Sequence, residues 1–251
     1  MQREDYIFGI RAILEAIEAG REIDKLMLAR EVNSQLAYEL IEKARENGVY
    51  VQRVPIDRIN RITRKNHQGA LAILSAISYY PIEHLVPSLY EQGLLPFIVV
   101  LDGITDVRNF GAIARTCECA GVDAIVIPKH GSASVSGDAI KTSAGALHHL
   151  PVCRENNIYR AVKFLKDNGY AIVAVSEKAD FNYTGGDYTG PVALVMGAED
   201  IGISPAVMKL CDTRVAIPMF GKIQSLNVSI AAGVVIYEVV NQRLKADLEV
   251  R

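Results

Sequence analysis

The chain of 251 residues has no uninterrupted apolar segment at its start, where MQREDYIFGIRAILEAIEAG scatters charges among hydrophobic residues. That excludes the apolar run of a signal peptide or a membrane span there and implies a cytoplasmic protein. It has no C-x-x-C pair and no histidine cluster at metal-ligand spacing. The four cysteines, Cys117, Cys119, Cys153 and Cys211, are therefore expected as reduced, buried or half-buried structural thiols, and no metal is expected. Cationic charge is not in excess either: the net charge is -2, so any nucleic-acid binding has to come from a local patch. No strand is followed by G-x-G-x-x-G, which removes a dinucleotide-binding enzyme. Internal repeats and low-complexity tracts are also missing. What is present is a hydrophobic share of 50%, enough to bury one large core or two modest ones.

Residues 6–78 read as a small α/β unit. Ile10, Ile13, Leu14 and Ile17 form one helical stripe ended by Gly20, the strand-like KLMLA follows, and Leu36, Leu40, Ile41 and Ala44 repeat the helical pattern up to Gly48. Val49 to Val54 and Leu71 to Ile77 read as further strands. Residues 79–96, YYPIEHLVPSLYEQGLLP, hold three prolines and a short amphipathic stretch, the composition of a tether between domains. From residue 97 to 251 the text changes to FIVVLDG, DAIVIP, YAIVAV and PVALVMG, continuous apolar runs expected as parallel strands buried on both faces. Helices are expected after Asn109, from Ile158 to Asn168, from Ser204 to Leu210 and from about Asn227 to Arg243. The fold class is thus α/β, with sites expected beyond the strand C-termini. The last helix is apolar nearly all round, which implies burial on several sides, one of them supplied by a second copy.

Three loops carry candidate chemistry. After FIVVLDG, Asn109, Gly111 and Arg115 put an asparagine at a helix start and an arginine one turn inside. Asn109 is a helix cap or a ligand-facing amide, and Arg115 is a surface arginine or a fork for phosphate. After PVALVM, Gly197, Glu199 and Gly202 form G-x-E-x-x-G, in which Glu199 is a solvated loop carboxylate or a contact to ligand. The third loop, RVAIPMFGKIQSLNVSIAAG, enters the apolar helix through Ser225, Leu226 and Asn227, where Ser225 or Asn227 can cap the helix and still serve a site. Separately, residues 52–67 carry Arg53, Arg58, Arg61, Arg64 and Lys65 against the single acid Asp57. Arg58, Arg61 and Lys65 are expected on one helix face with Ile59 and Ile62 turned inward, as an RNA-binding patch or an ordinary solvated face.

The order N-F-G-A-I-A-R, then G-A-E-D-I-G, then I-P-M-x-G-x-x-x-S-L-N-V-S resembles the three motifs of the SpoU/TrmH branch of the SPOUT superfamily, across residues 97 to 243. The first domain, with NHQGALA at 66–72, is similar to the RNA-binding extension of bacterial 23S rRNA guanosine 2'-O-methyltransferases of RlmB type. One position departs from the pattern: Asp106, Val107, Arg108, Asn109 stand where D-P-x-N is usual, which touches only loop stiffness.

The resemblance implies a C-terminal trefoil knot, a homodimer through it, and transfer of a methyl group from S-adenosylmethionine to a ribose 2'-hydroxyl of RNA, leaving S-adenosylhomocysteine. It assigns the cofactor to Val175, Ser176, Gly197, Ile217, Met219, Ser225 and Leu226, and catalysis to Asn109, Arg115, Glu199 and Asn227. The guanidinium of Arg115 is too weak an acid to serve as a base, so its expected role is electrostatic. Transfer RNA as substrate and a noncatalytic RNA-binding relative are the alternatives. An aspartyl phosphotransferase with Asp102 as nucleophile would need a second carboxylate where Ile104 stands.

Overall fold

The computed structural model describes residues 6–179 and 181–249; of the start analysed above, the first five residues lie outside the described ones. Contacts divide the chain into two units. One runs through Ser78 and takes in Ser134–Asp138; the other comprises Tyr79–Ala133 and the chain from Ala139 onward.

The first unit runs β1 (Tyr6–Phe8), α1 (Ile10–Glu18), β2 (Ile23–Ala29), α2 (Gln35–Glu46), β3 (Val51–Val54), α3 (Ile56–Asn60) and β4 (Ala70–Leu74). Its sheet has the order β1-β4-β2-β3, antiparallel at β1/β4 and β4/β2 and parallel at β2/β3. The stripe Ile10, Ile13, Leu14 and Ile17 is buried together with Leu40, Leu26, Leu28 and Ala72, so α1 and α2 cover one sheet face. Ser34 caps α2 by accepting from the Ala37 amide. On the other face Ile59 of α3 packs with Met27, Ala29, Val54 and Leu71. Helix α3 ends at Asn60, shorter than expected. Arg61 lies at its C-terminal cap, and Arg64 and Lys65 lie in the loop beyond, so Arg58, Arg61 and Lys65 do not share a helix face.

The second unit contains α4 (Ile82–Glu91), β5 (Phe97–Asp102), α5 (Val107–Cys119), β6 (Ala124–Pro128), α6 (Gly137–Thr142), β7 (Val152–Glu155), α7 (Ile158–Asp167), β8 (Ala171–Val175), β9 (Phe181–Asn182), β10 (Val192–Gly197), α8 (Pro205–Met208), β11 (Thr213–Ala216) and α9 (Val228–Glu249). Residues 79–96, read as a tether, hold α4, whose Ile82 and Val86 are buried with Val162, Leu165 and Ile98. The seven-stranded sheet has the order β7-β6-β5-β10-β8-β11-β9 and is parallel throughout. As expected of strands covered on both faces, β5, β6 and β10 are buried nearly end to end. The chain moves outward from β5 to β6 and β7, then crosses to β8. Strand β10 later seats itself between β5 and β8, and β11 between β8 and β9. The loops after β5, β8, β10 and β11 therefore leave the sheet side by side at its C-terminal edge, where strand order reverses and a crevice opens.

Helix α9 buries Val228, Ala232, Val235, Ile236 and Val239 and packs against α5. Its opposite face leaves Ile230, Tyr237, Leu244 and Leu248 exposed, so a single chain covers it on one side rather than several. No helix among the described residues is long and apolar enough to cross a membrane. Of the cysteines, Cys117 and Cys153 are buried and Cys211 is half-buried, while Cys119 is exposed, against expectation, because it falls on the solvent side of α5. Burial, with Glu155 and Glu83 nearby, pushes the Cys153 thiol up to about 12, far from a reactive thiolate.

Candidate active site

Three of the four residues expected in catalysis meet. Asn109 Nδ2 donates to Glu199 Oε1 at 2.9 Å, and Asn227 Nδ2 donates to the same oxygen at 2.9 Å and to Asn109 Oδ1 at 3.0 Å. Each arrives on a different loop, from β5, β10 and β11, and local chemistry fixes each one. Asn109 is not the cap of α5. That role falls to Asp106, whose Oδ1 accepts from the Arg108 and Asn109 amides, so the Asn109 side chain is left free to turn toward Glu199. The signal was in the sequence, an aspartate three positions ahead of Asn109. Asn227 does both jobs: its Oδ1 accepts from the Ser229 amide and hydroxyl at the head of α9, while its Nδ2 serves the cluster.

The loop carrying Glu199 is held by its own backbone. Ala198 bridges Gly202, and a Cβ added at Gly197 would lie 2.1 Å from the Gly202 carbonyl carbon and from the Ile203 nitrogen. Glycine is thus required at 197 by the fold of the loop itself, whatever ligand approaches it. Asp102, at the end of β5, accepts from the Ser204 amide at 2.8 Å and ties the far side of this loop to the sheet. That structural bond, together with Ile104 where a second carboxylate would be needed, leaves nothing to support a phosphotransferase.

Beside the cluster lies a cavity of about 730 Å³, within the usual range of about 300–1,000 Å³ for small-molecule sites. Val175, Ser176, Gly197, Ile217, Met219, Ser225 and Leu226 all line it, as do Glu199 and Asn227. Among the wall residues the sequence reading missed are Met196, Met208, Lys178 and Gln224, which carry no motif signal of their own. From Pro218 to Leu226, no main-chain group bonds another main-chain group among the described residues. Apart from the Lys222 carbonyl, which accepts from Gln224 Nε2, the loop's peptide groups are open to a ligand. A smaller cavity of about 210 Å³ adjoins and shares Ala198, Glu199, Asp200 and Val228; Asn109 lines it too.

Arg115 is not brought to this cluster. It is exposed on α5, has no hydrogen bond or ion pair among the described residues, and lines neither cavity. Among the described residues no group of three or more His, Cys, Asp and Glu side chains could hold a metal ion.

In the first unit, Arg53 is also not where the patch needs it. Its Nη1 donates to the carbonyls of Ala29 at 3.0 Å and Val32 at 2.7 Å, bracing the turn after β2. Alternation along β3 puts Arg53 on the same face as Val51, toward α1 and α2. Arg58, Arg61, Arg64 and Lys65 are exposed. In the NHQGALA segment, buried His67 bonds Asn60 and accepts from the Gly69 amide, and a Cβ at Gly69 would meet Val32 at 2.4 Å.

Comparison with known proteins agrees with this geometry. The sequence profile of the SpoU rRNA methylase family matches residues 96–237. This chain belongs to that family. A second profile, RNA 2'-O ribose methyltransferase substrate binding, matches residues 6–80. YacO of Bacillus subtilis (strain 168), assigned to the TrmH family of tRNA/rRNA methyltransferases, is 34% identical over 96% of this chain and 97% of its own. Among solved structures, the SpoU methyltransferase AviRb from Streptomyces viridochromogenes in complex with AdoMet superposes with a TM-score of 0.60 at 26% identity, covering 96% of this chain and 90% of that one. An AdoMet-bound rRNA methyltransferase from Sinorhizobium meliloti gives a TM-score of 0.60 at 25% identity, covering 94% and 86%. The SpoU fold therefore spans both units of this chain, and the parallel sheet with its preceding substrate-binding unit is that of the family's solved members.

Proposed function

We propose that this SpoU-family RNA methyltransferase transfers the methyl group of S-adenosylmethionine to a ribose 2'-hydroxyl, that of a guanosine in 23S rRNA, as in enzymes of RlmB type. The observation that carries the reading is the Asn109–Glu199–Asn227 cluster, whose Glu199 and Asn227 line the cavity that all seven expected cofactor residues line. The fit is chemical as well as spatial. Met196, Met208, Ile217, Met219 and Leu226 offer apolar surface for a purine, and the peptide groups of 218–226, none bonded to another main-chain group, offer polar edges. The AdoMet bound by AviRb and the Sinorhizobium enzyme supports the same cofactor here. The substrate-binding profile over residues 6–80 supports ribose as the target.

When bound, S-adenosylmethionine supplies an electrophilic methyl group and leaves as S-adenosylhomocysteine. The chain's own residues position the acceptor. Glu199 Oε1 is engaged by two amides, which fixes the carboxylate and leaves its second oxygen directed to a ribose hydroxyl. The smaller cavity, walled by Asn109 and Glu199, is the proposed seat of that ribose. Arg115 of the partner subunit grips the neighbouring phosphate and stabilises charge developing on the 2'-oxygen, while the proton leaves to phosphate or water. A homodimer is proposed because α9, which packs on the helix bearing Arg115, keeps Ile230, Tyr237, Leu244 and Leu248 exposed along one stripe. The seating of late strands between earlier ones supports the C-terminal knot. The proposed compartment is the cytoplasm.

Transfer RNA is the second reading, since the family assignment of YacO covers both RNAs. A noncatalytic role is disfavoured by the intact cluster. Calorimetric titration with S-adenosylmethionine, followed by mapping of 2'-O-methylation in RNA from a deletion strain, tests the proposal. One-to-one binding per chain and loss of a single ribose methylation in 23S rRNA are expected. Absence of cofactor binding, or a missing mark on a base, overturns it.

A further inference from the structure

The sheet of the first unit carries a feature that the charge pattern of residues 52–67 did not reveal. Tyr6 and Phe8 are two apart on edge strand β1 and so point to the same sheet face. Pairing register sets Ile73 and Lys25 in line with Tyr6, and Leu71, Met27 and Gln52 in line with Phe8. This is the face opposite α1 and α2. There Ile59 of α3 packs with Met27, Ala29, Val54 and Leu71, Tyr6 and Ile73 pack against that cluster, and Tyr6, Phe8 and Ile73 stay partly accessible. The two rings lie 6.2 Å apart, centroid to centroid, tilted by 42°.

Cations stand beside this aromatic edge. Lys65 Nζ stands 5.8 Å over the Phe8 ring. Lys25 lies close enough to Arg58 that partial burial and then the Arg58 guanidinium hold its ammonium below the usual lysine range. Among the described residues no ion pair joins Lys25, Arg58 or Lys65 to an acid. Like charges gathered beside partly accessible aromatic rings, with no ion-paired acid among the described residues, complement an anionic partner that also has flat apolar surface. Unstacked nucleotides have both, whereas duplex RNA keeps its base faces covered.

We infer that this sheet face is a stacking platform for unpaired bases of the RNA substrate, with Tyr6 and Phe8 taking the bases and Lys25, Arg58 and Lys65 the adjoining phosphates. The inference rests on the reading of RNA as substrate and adds that the first unit selects single-stranded RNA, a loop or bulge, rather than a helix.

The test uses the full chain and fluorescence polarisation with a short unstructured oligoribonucleotide and a blunt RNA duplex of equal length. The intact protein is expected to bind the single strand more tightly than the duplex. The double variant Tyr6→Leu/Phe8→Leu keeps apolar volume but loses the rings, and should bind the single strand about tenfold or more less tightly. Its far-UV circular dichroism and its affinity for S-adenosylmethionine should not change. If the double variant binds the single strand as the intact chain does, while Lys65→Gln weakens binding, the platform is overturned and RNA binding by the cationic residues stands. If the intact chain binds neither probe, the platform and the RNA reading fall together.

Discussion

Asn109 and Glu199, 90 positions apart in the chain, meet at 2.9 Å, and Asn227 closes the contact from the third loop. The carboxylate oxygen that receives both amides is thereby fixed before any substrate arrives. Preorganisation of this kind lowers a barrier because no reorientation is left for the moment of reaction.

Glu199→Gln separates the geometry from the charge. A glutamine carbonyl can still accept from Asn109 and Asn227, so the three loops should stay together. Methyl transfer is expected to fall by on the order of 10²–10³ in kcat while cofactor affinity changes little. Single-turnover methylation and calorimetry measure the two separately. Wild-type kcat in this variant would remove Glu199 from the chemistry.

Gly197→Ala should act through the loop instead. The new Cβ would collide with main-chain atoms of Gly202 and Ile203, so the Glu199 turn must shift. Destabilisation of roughly 1–3 kcal/mol is expected, with weaker binding of S-adenosylmethionine. Urea denaturation and calorimetric titration check both effects.

Arg53 is predicted to differ from its neighbours. Arg53→Gln removes the brace on the Ala29 and Val32 carbonyls, so it should lower unfolding stability by about 1–3 kcal/mol and leave the salt dependence of RNA affinity unchanged. Arg58→Gln and Lys65→Gln should each flatten that dependence by roughly 0.7–0.9 log units for every phosphate no longer neutralised. Equal slopes across all three variants would refute the division.

Much of the second unit was legible because burial on both sheet faces forces long apolar runs, and β5, β6, β8 and β10 fall on the runs read from the text. What was not legible had a physical cause in each case. The amphipathic stretch within 79–96 was read as part of a tether because of its prolines, although Pro81 sits at the N-cap of α4, where a fixed φ costs nothing, and Ile82 and Val86 keep a helical spacing. Strand β7, VCRE, is half polar, and β9 is two residues long, too short to show any period. Arg53 was grouped with the other cations by proximity in sequence, but strand alternation sends it to the opposite face. Of the residues that line the larger cavity, Gly197, Ile217, Met219, Ser225 and Leu226 could be named in advance because they belong to motifs, whereas Val175 and Ser176, at the end of β8, belong to none. Arg115 was grouped with the cluster by its motif, but it stands exposed on α5 and lines neither cavity. The aromatic pair Tyr6 and Phe8 lies more than forty residues before the cationic segment and joins it only through sheet register.

Asp123 gives the molecule a defined response to pH. Burial raises its carboxyl above the usual aspartate range, opposed by a 2.7 Å bond from the Phe97 amide and by the Arg243 guanidinium. In the window between the unfolded value and the raised folded value, the native state holds a proton that the unfolded chain has released. Stability contributed by this group is therefore lost as pH rises through that window. Asp123→Asn should flatten the slope of unfolding free energy there, as measured by denaturant titration at a series of pH values. An unchanged slope would mean that Asp123 titrates alike in both states.

Arg243, near the other end of α9, donates to the carbonyls of Leu95, Pro96, Tyr188 and Gly190, at the edge of the sheet where β5 and β10 begin. The first turn of the same helix is built on Asn227. A rod of 22 residues, about 33 Å long, is thus clamped near one extremity and starts at the other from the asparagine that holds Glu199. Loosening the clamp transmits along the rod, so damage at a position remote from any substrate can surface as misaligned chemistry instead of as unfolding.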